Sequence, residues 1–74
     1  MEHTVYIEPN GYSGHRVTVD GRFRFDTSYR PRSNVFRLVQ LWDLRGAQPS
    51  DLSAEQARRL ARRFCLALLA QRLL

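Results

Sequence analysis

Apolar and polar residues alternate over residues 4–8, with Val5 and Ile7 on the inward side, and again over 15–19, with Val17 and Val19 inward. Period-two alternation is the mark of a half-buried strand. Between these runs, residues 9–14 are dense in turn formers (Pro-Asn-Gly-Tyr-Ser-Gly). Asp20-Gly21 is a hairpin signal, and Arg22-Phe23-Arg24-Phe25-Asp26 reads as a third strand. A two-residue loop would oppose Val19 to Arg22 and mix valines with arginines on one face. A loop one residue longer, or a bulge, opposes Val19 to Phe23 and Val17 to Phe25. Because a slip of one residue turns every side chain over, the pattern predicts the longer connection. Arg16, Arg22 and Arg24 then sit on or near the face away from the core.

Residues 27–34 read as a loop carrying Arg30 and Arg32 around Pro31. The next run, 35–44, fits a helical stripe through Val35, Leu38, Val39 and Trp42. Its Val, Phe and Trp content, with no Ala, Glu or Lys, suits a strand better. As a strand it is apolar on both faces, so it is expected to be central or covered, with Trp42 in the core.

The last element opens on Ser53-Ala54-Glu55-Gln56, a capping box, with Asp51 and Glu55 at the positive end of the helix dipole. A helix is expected from Ala54 nearly to Leu74. Ala57, Leu60, Ala61, Phe64 and Leu68 share one side and form a core stripe, with Cys65 near it. Arg58, Arg59, Arg62 and Arg63 lie on the flank and back of the first half, and Glu55 precedes Arg59 by four residues. Farther along, Leu66, Leu69 and Leu73 occupy the angles where polar residues belong. A helix of this length spans about 31 Å, a short strand about 17 Å. The leucine-rich end therefore needs another surface, and the three leucines are candidates for a homodimer or partner interface. The pattern as a whole predicts one α+β domain over residues 1–74, a small antiparallel sheet of three to four strands packed against one long C-terminal helix.

Length sharpens this picture: 74 residues leave a thin core, and such proteins often gain stability by associating. Charge points to the kind of partner. The net charge is +5, carried by twelve arginines and no lysine, and guanidinium groups match carboxylates and phosphates in fork geometry. Acidic protein surfaces, nucleoprotein complexes and nucleic acid are the partner classes this balance favours. Eight arginines are candidate contacts: Arg22, Arg24, Arg30, Arg32, Arg58, Arg59, Arg62 and Arg63. Tyr6, Tyr12 and Tyr29, with Arg37 nearby, are candidate aromatic contacts on an open sheet face, where tyrosines could stack bases while arginines hold phosphates.

Catalytic chemistry has no foothold in the sequence. There is no nucleophile elbow, glycine-rich phosphate loop or paired-carboxylate signature. His3, His15 and Cys65 match no zinc-ligand spacing, so neither metal nor cofactor is expected. No signal peptide is visible, and residues 64–74 are too short to span a bilayer; a cytoplasmic protein without membrane contact is expected. In size, layout and lack of catalytic groups the chain resembles small phage-encoded inhibitors of host systems, anti-CRISPR proteins among them. That resemblance rests on layout rather than motif and implies a stoichiometric binder that blocks a host protein or nucleoprotein complex. Three strands followed by a helix also resembles sheet-reading DNA modules such as integrase arm-binding domains, which implies the alternative, a nucleic-acid-binding module.

Overall fold

A computed structural model describes residues 2–11, 14–30 and 32–73 of the chain. Four strands, β1 (Val5–Pro9), β2 (His15–Val19), β3 (Phe23–Arg30) and β4 (Val35–Asp43), form one antiparallel sheet in the order β1-β2-β3-β4. Helix α1 (Ala54–Ala70) packs across one face. The architecture is α+β, with the sheet at its expected upper size.

The β2–β3 hairpin shows how the apolar pattern selects register. Val19 opposes Phe23 and Val17 opposes Phe25. All four side chains are buried on the helix side. Asp20 and Gly21 both have positive φ (54° and 62°), and the Arg22 N–H donates to the Val19 carbonyl at 3.0 Å. This is a tight Asp-Gly turn with Arg22 as the additional residue before pairing resumes.

Against these four residues α1 presents Ala57, Ala61 and Cys65, all fully buried, with Leu60, Phe64 and Leu68 half-buried on the flanks. Small residues on the contact line let the helix approach the sheet closely. The capping box forms as expected. Ser53 Oγ accepts from the Gln56 N–H at 3.2 Å, and the Gln56 side chain accepts from the Ser53 N–H at 2.9 Å.

Three expectations are corrected by the fold. First, β3 continues through 27–30, so the loop before β4 shrinks to 31–34; Pro31 lies outside the described residues. Residues 28–30 pair only with β4, making a two-stranded extension beyond β1 and β2. Second, β4 is neither central nor covered: it is an edge strand, and Val35, Val39, Leu41 and Trp42 are exposed. A bulge opposite Arg24 and Phe25 inserts Leu41 and turns Trp42 onto the face away from the helix, where it is 60% exposed rather than in the core.

Third, α1 stops at Ala70. The Arg72 N–H bonds to the Leu69 carbonyl at 3.0 Å and the Leu73 N–H to the Leu68 carbonyl at 2.8 Å, with Arg72 at φ 59°. That is a Schellman closure with arginine where glycine is the usual choice. Arg72→Gly removes the left-handed strain and is expected to stabilise the fold by about 0.5–1 kcal/mol; urea denaturation measures it.

A candidate protein-binding edge

Antiparallel register carries side chains across the sheet in rows. On the face away from α1 one row reads Tyr6, Thr18, Arg24, Trp42, and the next reads Glu8, Arg16, Asp26, Val39. Beyond them lie Arg37 opposite Ser28 and Arg30 opposite Val35. Arg30 and Arg37, with Ser28 and Ser33, line a hollow of about 220 Å³. Tyr6, Arg24 and Arg30 thus share the open face. The Nε atoms of Arg16 and Arg24 are buried without a hydrogen-bond partner among the described residues. Glu8 and Asp26 flank Arg16 in its row, so this face alternates in sign.

The other candidates separate. Arg22 is held within the fold: its Nε donates to Asp43 Oδ1 at 3.1 Å and its Nη1 to the Ser50 carbonyl at 3.1 Å. It pins the turn to the end of β4 and is not part of the open face. Tyr29 sits on the helix side of the extension, opposite Phe36, with its hydroxyl 3.4 Å from Asn34 Oδ1. Tyr12 lies outside the described residues. Arg32 is exposed in the 31–34 connection.

On α1 the four arginines divide into two pairs by helical spacing. Arg59 pairs with Glu55 at 3.0 Å, both side chains highly exposed, and Arg63 lies one turn on and is also exposed. Arg58 and Arg62 face β4. Arg58 borders a hollow of about 480 Å³ with Leu38 and Gln40. Arg62 borders another of about 390 Å³ with Phe36, Leu66 and Leu69, its guanidinium 5.4 Å from the centre of the Phe36 ring. Leu66 and Leu69 thus stand over the two-stranded extension rather than overhanging the sheet, because β3 and β4 are longer than the alternating pattern indicates. Leu73 lies past the helix end, 68% exposed.

His3, Asp20 and Ser50 cluster, but the order is wrong for a nucleophile. Ser50 Oγ donates to Asp20 Oδ2 at 2.6 Å and His3 Nδ1 lies 2.8 Å from the same oxygen, so the carboxylate occupies the middle position where a general base must stand. Burial alone would raise the pKa of Asp20. Hydrogen bonds from Ser50, the Thr4 N–H and His3 outweigh it and hold the carboxyl below its ordinary value. Burial pushes the Cys65 thiol up to about 11, leaving it a small apolar side chain at neutral pH. Among the described residues no group of three or more His, Cys, Asp or Glu is placed to hold a metal ion. No described helix is long and apolar enough to cross a membrane.

The surface missed by the sequence reading is the free edge of β4 with the hollows beside it. The available signal was its apolar character on both faces. No protein-family model matches the chain, and no curated protein or solved structure matches it.

Proposed function

We propose that this chain is a non-enzymatic binding protein of the inhibitor or adaptor kind, similar in type to the phage-encoded inhibitors it resembles in layout. It acts by occupying an acidic surface of a protein or nucleoprotein complex. One observation carries the reading: a nine-residue edge strand leaves Val35, Val39, Leu41 and Trp42 exposed while a basic helix runs beside it. Long, flat, apolar strand edges invite pairing with another chain, and proteins that have no use for one blunt it with charges, proline, bulges or cover. Here the charges are Arg37 and the terminal Asp43, the one bulge lies at Leu41, and residues 35–40 pair with β3 without interruption. Trp, Tyr and Arg, the residues that dominate binding energy at protein interfaces, are exposed on the same side as Trp42, Tyr6 and Arg37. A reducing cytoplasmic setting belongs to this reading, given the single unpaired cysteine.

A nucleic-acid module is the second reading, favoured by Arg16, Arg24, Arg30 and Arg37 on one face with Tyr6 and Trp42. Against it stand Glu8 and Asp26 in the same rows, which would repel a phosphate backbone. The test is a tagged pull-down from lysate treated with nuclease, comparing the wild type with Val39→Lys. Val39 is 56% exposed and opposite Asp26, so a lysine there keeps the fold while blunting the edge. A defined protein retained after nuclease by the wild type and lost with Val39→Lys is the expected result. Recovery of nucleic acid alone, abolished by nuclease, would replace the protein reading with the second one.

A further inference from the structure

We propose that β4 and α1 together form a receptor for one extended segment of an acidic partner, which adds to the sheet as a fifth strand. This rests on the protein-binding reading and specifies its ligand. The helix runs antiparallel to β4: Ala54 and Arg58 stand by Leu38 and Gln40, while Arg62, Leu66 and Leu69 stand by Phe36. The two hollows therefore follow one another along the helix side of the strand, the first beside Val39 and Gln40, the second over Phe36 and Tyr29. A segment laid there would use the unpaired backbone groups of β4 for affinity and the hollows for side-chain choice, as peptides do when they extend a sheet.

Spacing supports the fit. Arg58 and Arg62 are four helical residues apart, a rise of about 6 Å. Alternate side chains on one face of an added strand are separated by about 6.8 Å. Successive helix-facing side chains of the segment thus meet Arg58 and then the hollow under Arg62. The first takes a carboxylate. The second is lined by Phe36, Leu66 and Leu69 and takes an apolar side chain beneath the guanidinium. On the opposite face of the segment the neighbours are Val35, Arg37 and Val39, so apolar and acidic residues are matched there as well.

Charge argues against a second copy of this chain as the occupant. Pairing two β4 edges would bring Arg58 and Arg62 of both helices into one groove and join two chains of charge +5. Glu55, the acid bordering the hollow beside Leu38 and Gln40, is engaged by Arg59.

The experiment is selection of a library of short random peptides displayed on phage against the full chain. Enriched peptides are then titrated by fluorescence anisotropy and mapped by amide hydrogen exchange. Expected are sequences that join apolar residues to Asp or Glu, and slowed exchange within residues 35–40. Affinity should fall about ten-fold with the double variant Arg58→Glu, Arg62→Glu. Both positions are exposed, so circular dichroism of that variant should be unchanged. Failure to enrich any peptide, enrichment of basic sequences, or protection on β1 instead of β4 overturns the proposal. So does slowed exchange in β4 that rises with protein concentration when no peptide is present, since a second copy then covers the edge. A site misplaced in this way leaves the protein-binding reading intact, because that stands or falls on whether the wild type retains a protein after nuclease treatment, whatever Val39→Lys does.

Discussion

Replacing Asp20 with alanine should destabilise the fold by about 3–5 kcal/mol, a large part of the roughly 4–11 kcal/mol available to a chain of this size. Two costs add. Asp20 is 4% exposed and receives the Thr4 N–H at 2.9 Å and Ser50 Oγ at 2.6 Å, with His3 Nδ1 at 2.8 Å. Truncation leaves these groups without their acceptor. Its own N–H donates to the Thr4 carbonyl at 2.8 Å, so the residue ties the segment before β1 to the β2–β3 turn and, through Ser50, to the chain entering α1. The second cost is backbone. At φ 54° alanine is strained, whereas asparagine tolerates the left-handed region. Asp20→Asn keeps the turn and one acceptor oxygen and is expected to cost about half as much. Urea denaturation of the two variants separates the terms.

The same carboxylate sets an acid limb. Its folded pKa lies below its ordinary value, so the stabilisation it contributes is fully present above the unfolded pKa of about 3.9 and is lost as pH falls through the folded pKa. Stability of the wild type should decline below about pH 4, and Asp20→Asn should flatten that decline.

Gly14→Ala is the second large effect, about 3 kcal/mol. A methyl group at this position would be built into the carbonyl oxygen of Thr27, backbone of β3 that cannot yield without breaking the neighbouring His15–Thr27 pair. Gly11 provides the contrast. A methyl there meets nothing, and only its φ of 87° opposes substitution, so Gly11→Ala should cost about 1 kcal/mol. A loss at Gly14 no larger than that at Gly11 would show that the close approach of Gly14 to the Thr27 carbonyl relaxes at little cost.

Much of the fold is legible in the sequence where one short-range pattern has one solution. Val17, Val19, Phe23 and Phe25 must share a face, and a single added residue at Arg22 achieves it. Ser53 and Gln56 announce the helix start because the capping box lies within four residues. What escapes reading depends on distance along the chain. No local feature says whether β4 ends up inside the sheet or at its edge. Trp42 faces outward because of a bulge whose register is set against β3. Arg22 resembles any strand-end arginine until Asp43 and Ser50, 21 and 28 residues away, arrive beside it. The helix end is hidden for another reason: its left-handed residue is Arg72, and arginine carries no stop signal.

The candidate site divides along the same line. Leu66 and Leu69 stand out as apolar residues off the core stripe, and the structure gives them Phe36 and Arg62 as neighbours. Arg58 and Arg62 differ from Arg59 and Arg63 only in which way they face, and helical angle settles this once the position of β4 is known. The edge of β4, on which the proposed function turns, was visible only as a strand apolar on both sides.

Amide hydrogen exchange of the chain, free and bound to the protein recovered after nuclease treatment, tests the central claim most directly. Binding through the β4 edge requires exchange within residues 35–43 to slow in the complex, with β1 unchanged. Protection confined to β1 or to the Tyr6 and Arg16 rows, with β4 exchanging as it does in the free chain, would contradict it.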